Sequence, residues 1–204
     1  MTPILHRRFI KLAGKFSPEL QAHMKRIGPV DLPNRKHMGA AQFLAQVIIG
    51  QQLSTNVART IWQRIKTAAR DADERIPHFF REENIDVIRA CGASGNKTKA
   101  LLAINEATLD GRLAAAKLRR LDSEERSAAL LGLRGVGQWT VDMASMFYFG
   151  DTDIWPIGDL SVSRTFRDLL GEQHRHRNDG ILAEFSPNRS YLAIYMWRIV
   201  ESVP

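Results

Sequence analysis

A chain of 204 residues is long enough for one large domain or for two small ones that share a core, and 29 Lys and Arg against 22 Asp and Glu give it a formal charge of +7. No apolar run approaches the roughly 18 residues needed to cross a bilayer, and the charged start MTPILHRRFIKLAGKF holds no signal-peptide core, so no membrane contact is expected. The expected location is inside the cell: cytoplasmic and nucleoid-associated, or nuclear in a eukaryote. The single cysteine, Cys91, excludes an internal disulfide and any cysteine cluster for zinc or for iron and sulfur.

The positive balance suits a polyanion such as nucleic acid. Ahead of residue 38, Arg7, Arg8, Lys11, Lys15, Lys25, Arg26, Arg35 and Lys36 face only Glu19 and Asp31. A solvated basic face would look the same.

Strand signals are few and helical spacing runs throughout, which predicts an all-α chain. Phe43, Leu44, Val47 and Ile48 recur at helical spacing, and so do Val57, Ala58, Ile61, Trp62 and Ile65. Between them lies 50-GQQLS-54, where Gly50 weakens the first helix and Ser54 can cap the second. Breaks follow at 32–34, at Pro77, at 91–96 and at 110–111. Residues 124–131 read as a helix, 132–137 as a tight turn, and 138–149 as a further helix through Trp139, Met143, Met146 and Phe147. After a break at 150–158, a helix with Val162, Phe166, Leu169 and Leu170 on its apolar face stops at Gly171. The stretch 171–180 holds an HRHR run, read as solvated despite the metal-ligand types of His174 and His176. The last helix spans 189–202, with Leu192, Met196 and Ile199 on one side, Tyr191, Tyr195 and Arg198 on another, and Trp197 between.

Two features of 133-LRGVGQWTVDMASMFYFGDTDIWPIGD-159 bear on chemistry. Gly135 and Gly137 lie between two helices, where missing side chains let backbone N–H groups approach an anion and the following helix N-terminus adds partial positive charge. Such a turn can hold one DNA phosphate without reading sequence, although a plain helix connection uses glycine as well. Asp159 follows Pro156 and Gly158 at the start of a helix, where Asp is a good N-cap. Capping holds a carboxylate ionised, and chemistry that builds positive charge on a sugar needs such a group nearby.

A hairpin L-x-G-V-G, a helix, and then an Asp 20 residues beyond position 139 together resemble the helix-hairpin-helix superfamily of base-excision DNA glycosylases. The segment 43-FLAQVIIGQQLSTNVARTIW-62 is similar to that family's paired helices and DNA-penetrating corner. The segment 91–113 is similar to the lead into the hairpin, and 189-RSYLAIYMW-197 to the closing helix. The resemblance implies two helical subdomains flanking a DNA-binding cleft, here one of about 1–41 plus 131–204 and one of about 42–130, acting as a monomer on double-stranded DNA that contains damaged bases.

Bifunctional members of the superfamily place a Lys nucleophile two residues after the last hairpin glycine, where this chain has Trp139. Branches with an iron-sulfur cluster need four cysteines. The chain is thus most similar to the alkylpurine branch, and the resemblance implies a monofunctional enzyme that uses water and leaves an abasic site. The resemblance makes Asp159 the catalytic carboxylate. It places Trp139, Met143, Trp197 and Gln51 at the base pocket, Gln52 in the gap left by the flipped base, and Leu133, Gly135, Val136, Gly137 and Gln138 on the DNA backbone. It implies no cofactor beyond a monovalent cation that the hairpin carbonyls could hold. Longer bacterial members carry a pocket tyrosine where this chain has Met143, which core filling explains equally well.

Two alternatives stay open. One is a glycosylase of the same fold for uncharged lesions such as hypoxanthine or ethenoadenine. The other is a non-catalytic module that only binds DNA backbone, for which a carboxylate facing phosphates would be a liability. Asp151, Asp153 and Asp159 lack the spacing of a calcium loop, and no metal is expected there.

Overall fold

The computed structural model describes residues 1–174 and 177–201, all of them helix, turn or loop, with no strand among the described residues. The chain divides into two units, Arg35–Ala144 in the centre and Met1–Asn34 together with Ser145–Pro204 at the termini. The sequence expectation put the hairpin and the helix after it, from residue 131 on, with the termini. In the structure residues 131–144 belong to the central unit, because α9 (Gln138–Ala144) packs on α3 (Ala40–Gly50) and on α8 (Ser123–Leu131).

In the central unit α3 also packs against α4 (Thr55–Asp71) and α6 (Gly95–Leu109), and α6 receives the short α5 (Ile85–Ala90). The starts of these helices are written in their caps. Ser54 accepts from the Val57 N–H, Ser94 from the Lys97 N–H, and Asp122 and Glu125 form a reciprocal capping box at α8. Ile49, Ile61, Trp62, Ile65, Phe79, Phe80 and Leu101 form one buried cluster, each contributing about 1.5–3 kcal/mol by leaving water. Val57 breaks the expected pattern: it sits in the first turn of α4 and is exposed.

In the terminal unit α1 (Pro3–Phe16) packs on α2 (Pro18–Ile27), and α2, α10 (Leu160–Leu170) and α12 (Arg189–Glu201) pack together. Thr2 and Ser17 cap α1 and α2, each followed by a proline at the first helical position, where the missing N–H costs nothing. Phe9 meets Phe185 edge-on at 5.1 Å, and the buried Tyr195 donates its hydroxyl to the Gly28 carbonyl at 2.8 Å. Val162, Phe166 and Leu170 of α10 are buried as the spacing predicts. The expected final helix ends at Glu201, and Ser202 lies outside the described residues. His174, expected in solvent, is half-buried with its ring edge-on to Phe16 at 6.1 Å, while His176 lies outside the described residues.

Candidate active site

Asp159 caps α10 as its place in the sequence suggests, its Oδ1 accepting from the Val162 N–H at 3.0 Å. Its other oxygen, Oδ2, accepts from the indole N–H of Trp197 at 3.2 Å. Both oxygens therefore have donors within the terminal unit, and the group is half-buried. Trp197 in turn lies 5.9 Å from the ring of Phe147, in the π-helical turn Ser145–Phe149 that follows directly on α9.

The loop that leads to Asp159 is fastened to the start of α12. Arg189 donates from Nε to Asp153 Oδ1 at 2.7 Å and from a terminal nitrogen to Oδ2 at 2.9 Å, a two-pronged pairing that fixes direction as well as distance. Burial pushes the Asp153 carboxyl up, but hydrogen bonds from Arg189 and Ser186 outweigh it and hold the group below its ordinary value. The Ser190 hydroxyl accepts from the Ile154 N–H at 2.9 Å and donates to the Asp151 carbonyl at 2.8 Å. Asp153 is thus spent on an ion pair with Arg189. Among the described residues no three His, Cys, Asp or Glu side chains are grouped to hold a metal. Ile157 and Leu160, beside Asp159, are 73% and 84% exposed. Sequence reading did not single them out, since single apolar residues in a loop carry no pattern.

The central unit holds the other expected residues. In the hairpin the Val136 N–H donates to the Leu133 carbonyl at 3.1 Å, and both side chains are buried. Gly135 has φ +80°, and a Cβ there would collide with the Ala100 methyl, so glycine is required by the fold. Gly137 differs, because beyond its own neighbours in the chain nothing lies within 4 Å of where its Cβ would be. The fold leaves that position open. In the first turn of α9, where backbone N–H groups have no acceptor within the helix, Gln138 is exposed and Trp139 half-buried. Met143 is 5% exposed, on the buried side of α9.

Gln138 donates its amide to Asp142 Oδ1 at 2.8 Å. Asp142, which sequence reading passed over, is 6% exposed with Oδ2 lacking a hydrogen-bond partner, and burial pushes its carboxyl up.

The corner between α3 and α4 is joined to the hairpin by Gln51, whose amide donates to Thr140 Oγ1 at 2.8 Å and to the Gly135 carbonyl at 3.4 Å. Gln52, next in the chain, has φ +56° and an exposed side chain. A non-glycine residue held in the left-handed region marks a turn that its surroundings impose. Lys97 caps the same corner from α6, its Nζ donating to the Ile49 carbonyl at 2.7 Å and the Gln51 carbonyl at 2.8 Å. Sequence reading missed it, since no local pattern announces a reach across 46 residues.

No protein-family model matches the chain. The chain is 27% identical over 202 residues to DNA-3-methyladenine glycosylase 1 of Schizosaccharomyces pombe, an alignment covering 94% of this chain and 80% of that protein. It is 24% identical over 199 residues to the alkylbase DNA glycosidase-like protein of the same yeast, covering 95% and 93%. Among solved structures, that of the Schizosaccharomyces pombe 3-methyladenine DNA glycosylase in complex with abasic DNA superposes with a TM-score of 0.81 at 26% identity, over 96% of this chain and 98% of that one.

Proposed function

We propose that this chain is a helix-hairpin-helix DNA glycosylase that flips alkylated purines such as 3-methyladenine out of duplex DNA and hydrolyses the bond joining base to sugar. The observation that carries this reading is Asp159, a carboxylate held at a helix start by Val162 N–H and Trp197. In the reaction the bond from sugar C1′ to the base nitrogen breaks and its electron pair leaves with the base. Positive charge develops on the sugar and water adds at C1′ with loss of a proton. A fixed carboxylate stabilises that charge or orients the water. Alkylation at a ring nitrogen makes the base cationic, so it departs as a neutral molecule, and Trp197, beside Asp159, offers it an aromatic face worth about 0.5–2 kcal/mol through cation–π contact.

With Trp139 where a Lys nucleophile would stand, the enzyme is monofunctional and leaves an abasic site with the strand intact. Gln52 fills the vacated stack, with Gln51 at the edge of the base site. The hairpin anchors one phosphate through backbone N–H groups, and the open space at Gly137 supports that reading because nothing inside the protein demands a glycine there. A monovalent cation on the hairpin carbonyls would strengthen the same contact. We read the acting species as a monomer inside the cell.

The test is a single-turnover reaction with methylated duplex DNA, assayed for free base and for strand breaks. The expected result is release of 3-methyladenine and a strand that breaks only after alkali treatment. Direct strand cleavage, with an enzyme–DNA adduct trapped by borohydride, would contradict the hydrolytic reading; duplex binding with no base release would make the chain a DNA-binding module.

A further inference from the structure

We propose that Lys97 is a positioning residue that holds the Gln51–Gln52 turn in the shape from which Gln52 enters the base stack. The proposal rests on the reading of Gln52 as the stack-filling side chain. Lys97 is the third residue of α6, where the N-terminal end of its own helix disfavours a cation. Its ammonium instead reaches the far end of α3, donating to the carbonyls of Ile49 at 2.7 Å and Gln51 at 2.8 Å. The last carbonyls of a helix lack donors within it, and a cation near that end meets the negative pole of the dipole. The placement that α6 opposes is therefore the placement that α3 needs. Partial burial lowers the affinity of Lys97 for its proton, as expected of an ammonium drawn off water onto two carbonyl oxygens.

The Gln51 carbonyl belongs to the peptide that joins Gln51 to Gln52, so gripping it restrains the torsion that sets Gln52 at φ +56°. On the other side of the same residue, the Gln51 amide is held by Thr140 and Gly135. Backbone and side chain of Gln51 are thus both fixed, while the Gln52 side chain is exposed. Such an arrangement sets the direction of a wedge without restraining its tip. Extrusion from an intact duplex opposes excision with the cost of unstacking and unpairing, whereas a base in a single strand presents little of that cost. A residue that acts by aiming Gln52 matters in the first case and hardly in the second.

The experiment compares single-turnover release of 3-methyladenine from a paired duplex and from single-stranded DNA, using Lys97→Met, Lys97→Arg, Gln52→Ala and the double variant Lys97→Met with Gln52→Ala. Lys97→Met is expected to slow the paired reaction about tenfold, the scale of a lost hydrogen bond to a charged group, and to leave the single-stranded reaction within about twofold. Lys97→Arg keeps a cationic donor and should recover part of the loss; if Lys97→Met does not fold, Lys97→Arg carries the comparison through a smaller loss with the same preference. The double variant should be no slower on the duplex than Gln52→Ala alone. Equal losses on both substrates, or multiplied losses in the double variant, would overturn the proposal. So would a drop of about one in the salt slope of duplex binding, which would make Lys97 a phosphate contact. If Gln52→Ala itself shows no preference between substrates, the wedge reading fails and this proposal with it; if it shows one and both Lys97 variants do not, only the role of Lys97 fails.

Discussion

The loop that carries Asp159 and the corner that carries Gln52 are both short connections between helices, and they are built in opposite ways. Around Asp159 the side chain is what is held: two donors, the Val162 N–H and the Trp197 indole, take one carboxylate oxygen each. Around Gln52 the backbone is held, by Lys97 and by the tether of the preceding glutamine, while the side chain is exposed. The difference follows from what each residue does in the proposed reaction. A group that meets developing charge loses catalytic value if it must reorganise, so it is fixed beforehand. A group that enters a space existing only after a base has left needs direction and freedom together.

The largest expected effect comes from removing the fixed charge. Asp159→Asn retains capping ability and should lower single-turnover base release at least about a hundredfold, with melting little changed and duplex binding retained, since a negative charge leaves a DNA-binding protein. Trp197→Phe keeps an aromatic ring but removes the indole N–H that donates to Asp159 Oδ2. Release should fall about tenfold with unchanged duplex affinity in a filter or anisotropy assay, the scale of one hydrogen bond to a charged group. Gly137→Glu tests the shared anchor. It places bulk and negative charge where the fold itself leaves room, so binding should weaken about tenfold or more for damaged and undamaged duplex alike at low salt.

A smaller effect, on stability alone, is expected at Asp142, which belongs to neither arrangement. Burial raises its carboxyl above the ordinary value, so the folded state holds the proton to higher pH than the unfolded chain does. Stability is accordingly lost as pH rises from the ordinary carboxylate value through the raised one. Asp142→Asn should raise stability by about 1 kcal/mol at pH 7, seen as roughly 2–4 °C in melting temperature, and the gain should vanish in acid below the ordinary carboxylate value.

Much of this contrast was legible in the sequence on one side only. Asp159 stands after a proline and a glycine and before an amphipathic segment, so its capping role follows from neighbours three residues away, and the structure bears that out. Ser54 was legible for the same local reason. The partners that complete each site are distant in the chain. Trp197 lies 38 residues from Asp159, and Lys97 lies 46 residues from Gln51, and periodicity reports which face of a helix is apolar but not what a long side chain on its polar face reaches. The grouping of the hairpin with the central unit was equally hidden, since it depends on Gly135 seating against Ala100 of α6. Val57 shows the reverse failure: an apolar residue at the right spacing lies in the first turn of α4, ahead of the buried stretch that starts at Ile61, and remains exposed.

The most direct test of the contrast sets Asp159→Asn beside Gln52→Ala and measures single-turnover release of 3-methyladenine from paired and from single-stranded DNA. A fixed charge acts on the sugar whatever the strand's partner, so Asp159→Asn should lose the same factor, about a hundredfold or more, on both substrates. A wedge acts only where a stack must be refilled, so Gln52→Ala should lose at least about tenfold more on the duplex than on the single strand. Asp159→Asn within a few-fold of wild type, or Gln52→Ala losing equally on both, would contradict the account.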